Sequence, residues 1–301
     1  MKNVFKYLLS VIAIFAVSCE DVPESDIIIS GDKTVIPEER PDEPQPITEN
    51  IDYSKRLECP KVKGGDNLII AKTDKTYGVN YFLEWDCNKR AQRWTAYQMH
   101  KGNTVKTVDR SGDDAWHEDE EIPDEYRSVH EDYKGSGFDR GHMCPSADRL
   151  QNSNMNKQTF CYSNMQPQYN TLNAGIWGDM EAKVRAWNTD NFRDTLYVVK
   201  GGTIDKEAQI FDFKTHGNSG LIIPKYFFMA ILCLKNGKYK AIGFWIEHRN
   251  YYSDIEKKNI KQYAVSIDQL ETFTDIDFFA NLPKDVQDEV EKEPSINDWA
   301  F

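Results

Sequence analysis

The stretch GSGFDRGHMCPSADRL, residues 135–150, concentrates charged and imidazole side chains in one short turn. It places Asp139, Arg140 and His142 within four positions, one residue before a Cys-Pro step. Charged residues are mostly solvated surface, so a plain exposed turn is one interpretation. A histidine beside an arginine can also serve as a base next to an anion, because its unperturbed pKa of about 6.5 leaves it neutral over much of the physiological range. The residues downstream decide between these interpretations.

The chain begins with a pattern that is typical of export. Lys2 and Lys6 precede the apolar run YLLSVIAIFAV, which is too short to span a bilayer and resembles the core of a signal peptide. The run ends in AVSC, so we expect a lipoprotein signal over residues 1–18, cleaved before a lipidated Cys19 that anchors the protein to a membrane. The alternative is an ordinary secretory signal followed by an incidental cysteine.

Residues 19–54 are predicted to be a tether, because they are rich in proline and acidic residues and poor in aromatic residues. The whole chain carries −12; residues 20–52 account for −9 and the leader for +2, which leaves −5 for the rest. The predicted folded domain, residues 55–301, is therefore only mildly acidic, and phosphate binding must depend on local basic residues. The acidic tether predicts an outer-membrane lipoprotein that faces the periplasm or the cell surface.

The folded domain has clear strand signals and fewer helix signals. Aromatic and β-branched runs predict strands over residues 79–85, 93–99, 195–202, 226–234 and 239–248. The first two strands resemble a hairpin, and Asn236-Gly237 predicts a type I′ turn between the last two. Apolar spacing predicts a helix over residues 173–188, and Ser266 with Gln269 predicts a capping box at the start of another. A further helix is expected just after Pro283. Without regular βαβ alternation, the fold class is α+β.

Five cysteines follow Cys19, and an odd number leaves at least one of them free within the chain. Cys144 and Cys161 flank the charged turn, so a disulfide between them is a reasonable guess. Zinc ligation by His142, Cys144 and Cys161 is less favoured, because His-x-Cys is cramped for a tetrahedral site and the chain has no Cys-x₂-Cys pair.

Polar side chains recur downstream of the charged turn, in the run CYSNMQPQYNTLNAGIWGDMEAKV. Asn164 precedes a proline-containing turn, and Asn173 lies where the amphipathic helix is predicted to begin. Glu181 follows eight residues later, close to two helical turns, so Asn173 and Glu181 should project to the same side. Taken singly, Asn173 could merely cap the helix, and Glu181 or Arg110 could be solvated surface.

The ordered set of these motifs resembles the sugar-non-specific DNA/RNA endonuclease family. Asp-Arg-Gly-His at 139–142 is followed by Asn164, Pro167, Gln168, Asn173, Gly175, Trp177 and Glu181, in the order of the family's "N…PQ…N..G.W…E" run. The resemblance covers nearly all of residues 55–290. It implies a ββα-metal, or His-Me finger, nuclease fold, in which the finger is set in a larger six-stranded and mostly antiparallel sheet.

The resemblance also implies roles for individual residues. His142 would be the general base, with Arg140 and Arg110 on the phosphate. Asn173 would be the sole direct protein ligand of Mg²⁺, which Mn²⁺ can replace, and Glu181 would hold a metal-bound water. Asn164 would support the site, and Asp139 would orient the finger through hydrogen bonds. Because some family members dimerise, a homodimer is an open alternative to a monomer.

The leading hypothesis is therefore a lipid-anchored, Mg²⁺-dependent enzyme that cuts DNA and RNA and leaves 5′-phosphates, as the family does. Backbone contacts without base readout would explain low sequence specificity. Two alternatives stay open: a non-catalytic nucleic-acid-binding lipoprotein at the surface, and a phosphodiesterase for small nucleotides. The mild acidity of the domain keeps the second alternative open, because long polyanions are not attracted by its net charge.

Overall fold

A computed structural model describes residues 51–211, 220–253, 259–294 and 296–301. All of them belong to one compact unit, Asp42–Phe301. The predicted signal peptide, Cys19 and almost all of the predicted tether lie outside the described residues. Within the described ranges, no helix combines the length and the apolar character needed to cross a membrane.

The described residues form two antiparallel sheets. The strands are β1 (Asn67–Asp74), β2 (Gly78–Asp86), β3 (Ala91–His100), β4 (Asp139–His142), β5 (Met165–Gln168), β6 (Thr195–Gly202), β7 (Tyr226–Lys235), β8 (Lys238–Glu247) and β9 (Ala264–Val265). The large sheet has the order β1-β2-β3-β6-β7-β8-β9, and β4 pairs with β5 in the small one. The large sheet thus has six long strands and a two-residue seventh, and the predicted α+β class is confirmed.

Five α-helices lie among the described residues. They are α1 (His130–Tyr133), α2 (Ser153–Gln158), α3 (Gly178–Trp187), α4 (Ile267–Thr274) and α5 (Lys284–Val290). A π-type turn, Leu172–Trp177, leads directly into α3. The three helices expected from the sequence correspond to α3, α4 and α5.

Both predicted hairpins are confirmed. β2 and β3 pair antiparallel, as do β7 and β8, where Lys235 faces Lys238 across the turn. Asn236 and Gly237 both have positive φ, +49° and +73°, which is the requirement of a type I′ turn. The turn residues Asn236 and Gly237 therefore set the register of the hairpin formed by β7 and β8.

The large sheet is covered on both faces, and its strands alternate between two hydrophobic cores. One face, with Leu196 and Val198, packs against α3 through Trp177, Met180, Val184 and Trp187, the apolar stripe expected from the sequence. The opposite face, with Tyr197 and Val199, packs against α4 and α5. Helix α3 therefore lies on one side of the sheet, and α4 and α5 lie on the other.

Two expectations from the sequence are wrong. The helix begins at Gly178 rather than near Asn173, because Gly175 leaves helical geometry with φ −106° and ψ −115°. Asn173 and Glu181 therefore do not lie on one continuous helix, and Asn173 is not its cap, since Trp177 holds that position. Cys144 and Cys161 are both free and buried, so the expected disulfide is absent; burial raises the pKa of each thiol to about 12.

The capping box at the start of α4 is confirmed in both directions. The Ser266 hydroxyl accepts a hydrogen bond from the backbone N–H of Gln269 at 3.1 Å, and the Gln269 side chain accepts from the backbone N–H of Ser266 at 3.0 Å. Both bonds satisfy amides that the first helical turn leaves without partners.

Replacing Ser266 with alanine should lower the free energy of unfolding by about 1 kcal/mol, because one capping acceptor is lost. Urea denaturation measures the change, and Ser266→Thr, which keeps the hydroxyl, should recover most of it. Equal losses in the two variants would contradict the capping account.

Candidate active site

The charged turn becomes a short strand that pairs with the segment after Asn164. β4 and β5 pair antiparallel, with Asp139 opposite Gln168 and His142 opposite Met165. Gly141 is required here, because a Cβ at this position would come within 2.1 Å of the buried Gln168 side chain. The indole Nε1 of Trp177 donates to the carbonyl of His142 at 3.3 Å, which ties the turn before α3 to β4. β4, β5 and α3 therefore form a ββα unit.

A cleft of about 380 Å³ opens beside β4. It is lined by four of the residues predicted for the site: Arg110, Arg140, His142 and Asn173. Asp139, for which the sequence also predicted a role, lines the cleft as well. Five further lining residues were not expected from the sequence: Trp116, His130, Tyr133, Lys134 and Phe138. The lining contains three cations, Arg110, Lys134 and Arg140, and one carboxylate, that of Asp139. The cleft therefore has a local positive charge suited to an anion.

His142 sits between two aromatic rings. Its ring centroid lies 5.4 Å from that of Trp116 and 5.3 Å from that of Phe160. Its Nε2 atom is buried without a hydrogen-bond partner among the described residues. Burial, reinforced by the charges of Arg110, Lys200 and Arg140, lowers the pKa of His142 to about 3. The imidazole is therefore neutral at physiological pH, the state in which it can accept a proton.

Aromatic rings also hold both arginines of the cleft. The guanidinium of Arg140 lies 4.1 Å from the ring centroid of Trp116, and that of Arg110 lies 4.7 Å from the centroid of Phe160. Stacking of this kind restrains a guanidinium while leaving its N–H groups available for an anion. Trp116 and Phe160 thus contact His142 and one arginine each.

Asp139 positions Asn173 at the other edge of the cleft. One carboxylate oxygen, Oδ2, accepts hydrogen bonds of 3.0 Å from the amide nitrogens of both Asn170 and Asn173. Because the Nδ2 of Asn173 donates to Asp139, the remaining polar atom of that amide is Oδ1, an acceptor. Asn173 can therefore offer a neutral oxygen, a ligand type that Mg²⁺ accepts.

Asn164 lies behind the cleft rather than on its surface. It is fully buried; its Oδ1 accepts from the backbone N–H of Cys144 at 2.8 Å, and its Nδ2 donates to the carbonyls of Cys144 and Thr159, both at 2.9 Å. These bonds join the end of β4 to the segment before β5. The geometry makes Asn164 a support of the finger that does not touch the cleft.

Glu181 likewise does not line the cleft. Its carboxylate pairs with the ammonium of Lys200 at 3.1 Å, and Lys200 is fully buried beneath the rings of Tyr97 and Trp177. Burial raises the pKa of Glu181, and the charge of Lys200 opposes that rise. The sequence contained a signal for this lysine, since Lys200 alternates with Leu196 and Val198 on the core face of β6. Trp116 had no comparable signal, because it lies in an irregular loop.

Relatives of known class match the chain over most of its length. A profile of the DNA/RNA non-specific endonuclease family matches residues 69–285. A nuclease from Nostoc sp. is 28% identical over 75% of this chain and 78% of its own length, and nuclease C1 from Cunninghamella echinulata is 29% identical over 67% and 81%. The mitochondrial nuclease EXOG of Xenopus laevis is 28% identical over 72% of this chain, which spans 61% of that relative.

The fold has a counterpart among solved structures. A chain in the crystal structure of the EndoG/EndoGI complex superposes with a TM-score of 0.63 at 24% identity, covering 73% of this chain and 89% of that chain. The α+β fold with its ββα unit is thus that of a ββα-metal nuclease. The chain belongs to the DNA/RNA non-specific endonuclease family, a family of metal-dependent nucleases.

Replacing Asn164 with alanine should lower the free energy of unfolding by roughly 2–4 kcal/mol, because three buried backbone groups lose their partner. Urea denaturation measures this loss. The matched control is Asn152→Ala, which removes the cap of α2, whose side chain accepts from Met155 N–H at 2.8 Å, and should cost about 1 kcal/mol. A cost for Asn164→Ala no larger than that of the control would contradict its structural role.

The imidazole of His142 should remain neutral in the metal-free protein down to pH 5, well below an ordinary histidine near 6.5. Imidazole NMR resonances, assigned by their loss in His142→Ala, measure this. Because the pKa is lower in the folded than in the unfolded protein, the unfolded state takes up a proton first as the pH falls. The free energy of unfolding should therefore be highest above pH 6.5 and decrease as the pH falls toward 3. A midpoint between pH 6 and 7 would contradict the effect of burial.

Proposed function

We propose that the protein hydrolyses phosphodiester bonds of DNA and RNA with little sequence specificity, uses Mg²⁺, and leaves 5′-phosphates. The observation that carries this proposal is the cleft itself, in which a neutral His142 lies among the cations Arg110, Lys134 and Arg140. A phosphodiester needs a base for the attacking water and positive charge for its oxygens. The cleft supplies both from its own side chains.

His142 takes the proton of the attacking water as that oxygen bonds to phosphorus. The bond from phosphorus to the 3′-oxygen breaks, and the leaving 3′-oxygen takes up a proton from solvent water. Because its pKa is lowered, the imidazole carries no proton at physiological pH and is in the form that can accept one. Arg140 and Arg110 bind phosphoryl oxygens through guanidinium groups that Trp116 and Phe160 restrain. A positioned base contributes roughly 10²–10⁴ in rate, and preorganised cations add transition-state stabilisation in a partly dehydrated site.

The residues of the cleft fit a magnesium ion. Asn173 is the residue that would hold it through Oδ1, with waters and substrate phosphate as the other ligands, and the hydrogen bond to Asp139 fixes that oxygen. When bound, the ion would neutralise developing charge on the phosphate, and Mn²⁺ would be able to replace it. Glu181, whose carboxylate pairs with Lys200, would hold a water bound to the ion rather than touch the ion itself.

Plasmid nicking by wild type and His142→Ala, each with Mg²⁺ and with EDTA, tests this function. We expect His142→Ala to lower the nicking rate by a factor of about 10²–10⁴ and EDTA to abolish nicking by the wild type. His100→Ala, a histidine that does not line the cleft, should keep its rate. Parallel assays on RNA and on mixed-sequence duplexes measure specificity.

Two other functions predict different results in the same assay. A protein that only binds nucleic acid would shift the plasmid on a gel without metal-dependent nicking. A phosphodiesterase for small nucleotides would hydrolyse a dinucleotide faster than a long polymer, which the mildly acidic domain would explain. Cleavage by His142→Ala at the wild-type rate would contradict the proposed base.

We further propose that Cys19 carries lipid and holds the enzyme on the outer membrane, by the AVSC motif and the acidic segment that follows. Cys19→Ser should move the protein from the detergent phase to the aqueous phase in Triton X-114 partitioning. Unchanged partitioning would contradict the anchor.

Protease treatment of intact cells distinguishes the two proposed locations. A protein on the cell surface is degraded, and a protein in the periplasm survives. The homodimer stays a prediction, measured by the mass in solution.

A further inference from the structure

Three carboxylates converge on the face of the sheet opposite the cleft. Asp268 and Glu271 lie one turn apart on α4, and Glu291 immediately follows α5. One carboxylate oxygen from each residue lies within 4.8 Å of the others. The backbone N–H of Asp268 donates to the carbonyl of Glu291 at 3.2 Å, which holds the two segments together. The cluster therefore joins helices that are separate in sequence.

The innermost carboxylate lacks a partner for one of its oxygens. Glu291 is 3% exposed, and its Oε1 is buried without a hydrogen-bond partner among the described residues. The backbone N–H of Phe278 donates to Oε1 of Glu271 at 2.8 Å, and the side chain of Gln287 hydrogen-bonds Glu291. These are neutral donors, and a buried carboxylate compensated only by neutral groups is costly.

Among the described residues, Lys284 acts on the cluster but compensates its charge only in part. Lys284 lowers the pKa of Glu271, but its ammonium is exposed and pairs with Asp288 at 2.8 Å. The site is thus short of positive charge.

We propose that Asp268, Glu271 and Glu291 bind one calcium ion that fastens the end of α5 to α4. Two oxygens bound to one Ca²⁺ at about 2.3–2.6 Å can lie as far as roughly 4.6–5.2 Å apart, so the spread of this cluster suits the ion. Ca²⁺ accepts mixed carboxylate, carbonyl and water ligands in flexible geometry. The ion would also compensate the charge of the buried Glu291 carboxylate, one oxygen of which lies in the cluster.

This site is separate from the catalytic cleft. The apolar residues of α4 pack in the core that contains Tyr197 and Val199, whereas α3 packs in the core on the other side of the sheet. The calcium would therefore stabilise the fold, and the catalytic residues would keep their own cation. Calcium bound to the native state alone raises stability in proportion to the logarithm of its concentration above Kd.

The test measures Ca²⁺ binding calorimetrically, and Tm with and without Ca²⁺, for the protein carrying Asn173→Ala, which removes the proposed ligand of the cleft. We expect one bound Ca²⁺ and a Tm rise of about 5–10 °C at a hundredfold excess over Kd. Adding Glu291→Gln should abolish both effects. Glu289→Gln, an exposed carboxylate two residues away, is the matched control and should keep them.

Each contrary result overturns the assignment. If the Asn173→Ala protein binds no Ca²⁺ and Glu291→Gln raises Tm in EDTA, the carboxyls share a proton and no ion is needed. If Mg²⁺ gives the same heat and the same Tm rise, the site does not select calcium. If Glu291→Gln keeps the response, the calcium lies elsewhere. The nicking rate of a Glu291→Gln variant that retains Asn173 is measured separately. It distinguishes a failure of the calcium proposal from a failure of the catalytic proposal.

Discussion

The side-chain amide of Asn164 holds the chain where β4 ends and β5 begins, and the geometry of the cleft depends on it. It meets one N–H and two carbonyls that would otherwise be buried without partners, and the backbone carbonyl of Asn164 accepts a further hydrogen bond from Met143 N–H at 3.0 Å. An interior of this kind tolerates few unsatisfied groups, so the two strands have one arrangement relative to each other. That arrangement sets the position of His142, two residues before Cys144.

The same burial that fixes the finger sets the chemistry of its histidine. Aromatic rings on two sides exclude water from His142, and the cations nearby oppose a further positive charge. The same two rings, Trp116 and Phe160, also stack against the guanidinium groups of Arg140 and Arg110. A neutral base and an anion site are therefore built from the same contacts.

The predictions from the sequence succeeded where the controlling interactions are local. The hairpin at Asn236-Gly237, the capping box of Ser266 and the apolar stripe of α3 follow from residues a few positions apart. They failed where one residue changes the backbone, and they did not identify partners that are distant in sequence. Gly175 interrupts the expected helix two residues after Asn173. The partner of Glu181 is Lys200, nineteen residues away on β6.

The sequence by itself determined the class of the fold, because periodicity and turn chemistry act over short spans, and its ordered motif carried the resemblance to the endonuclease family. It also placed Arg110, Arg140, His142 and Asn173 in one site through the resemblance of their ordered motif. Only the tertiary structure decided that Asn164 lies behind the cleft, that Trp116 lies within it, and that three carboxylates meet across α4 and α5. Those facts depend on packing between segments far apart in the chain, which no local pattern encodes.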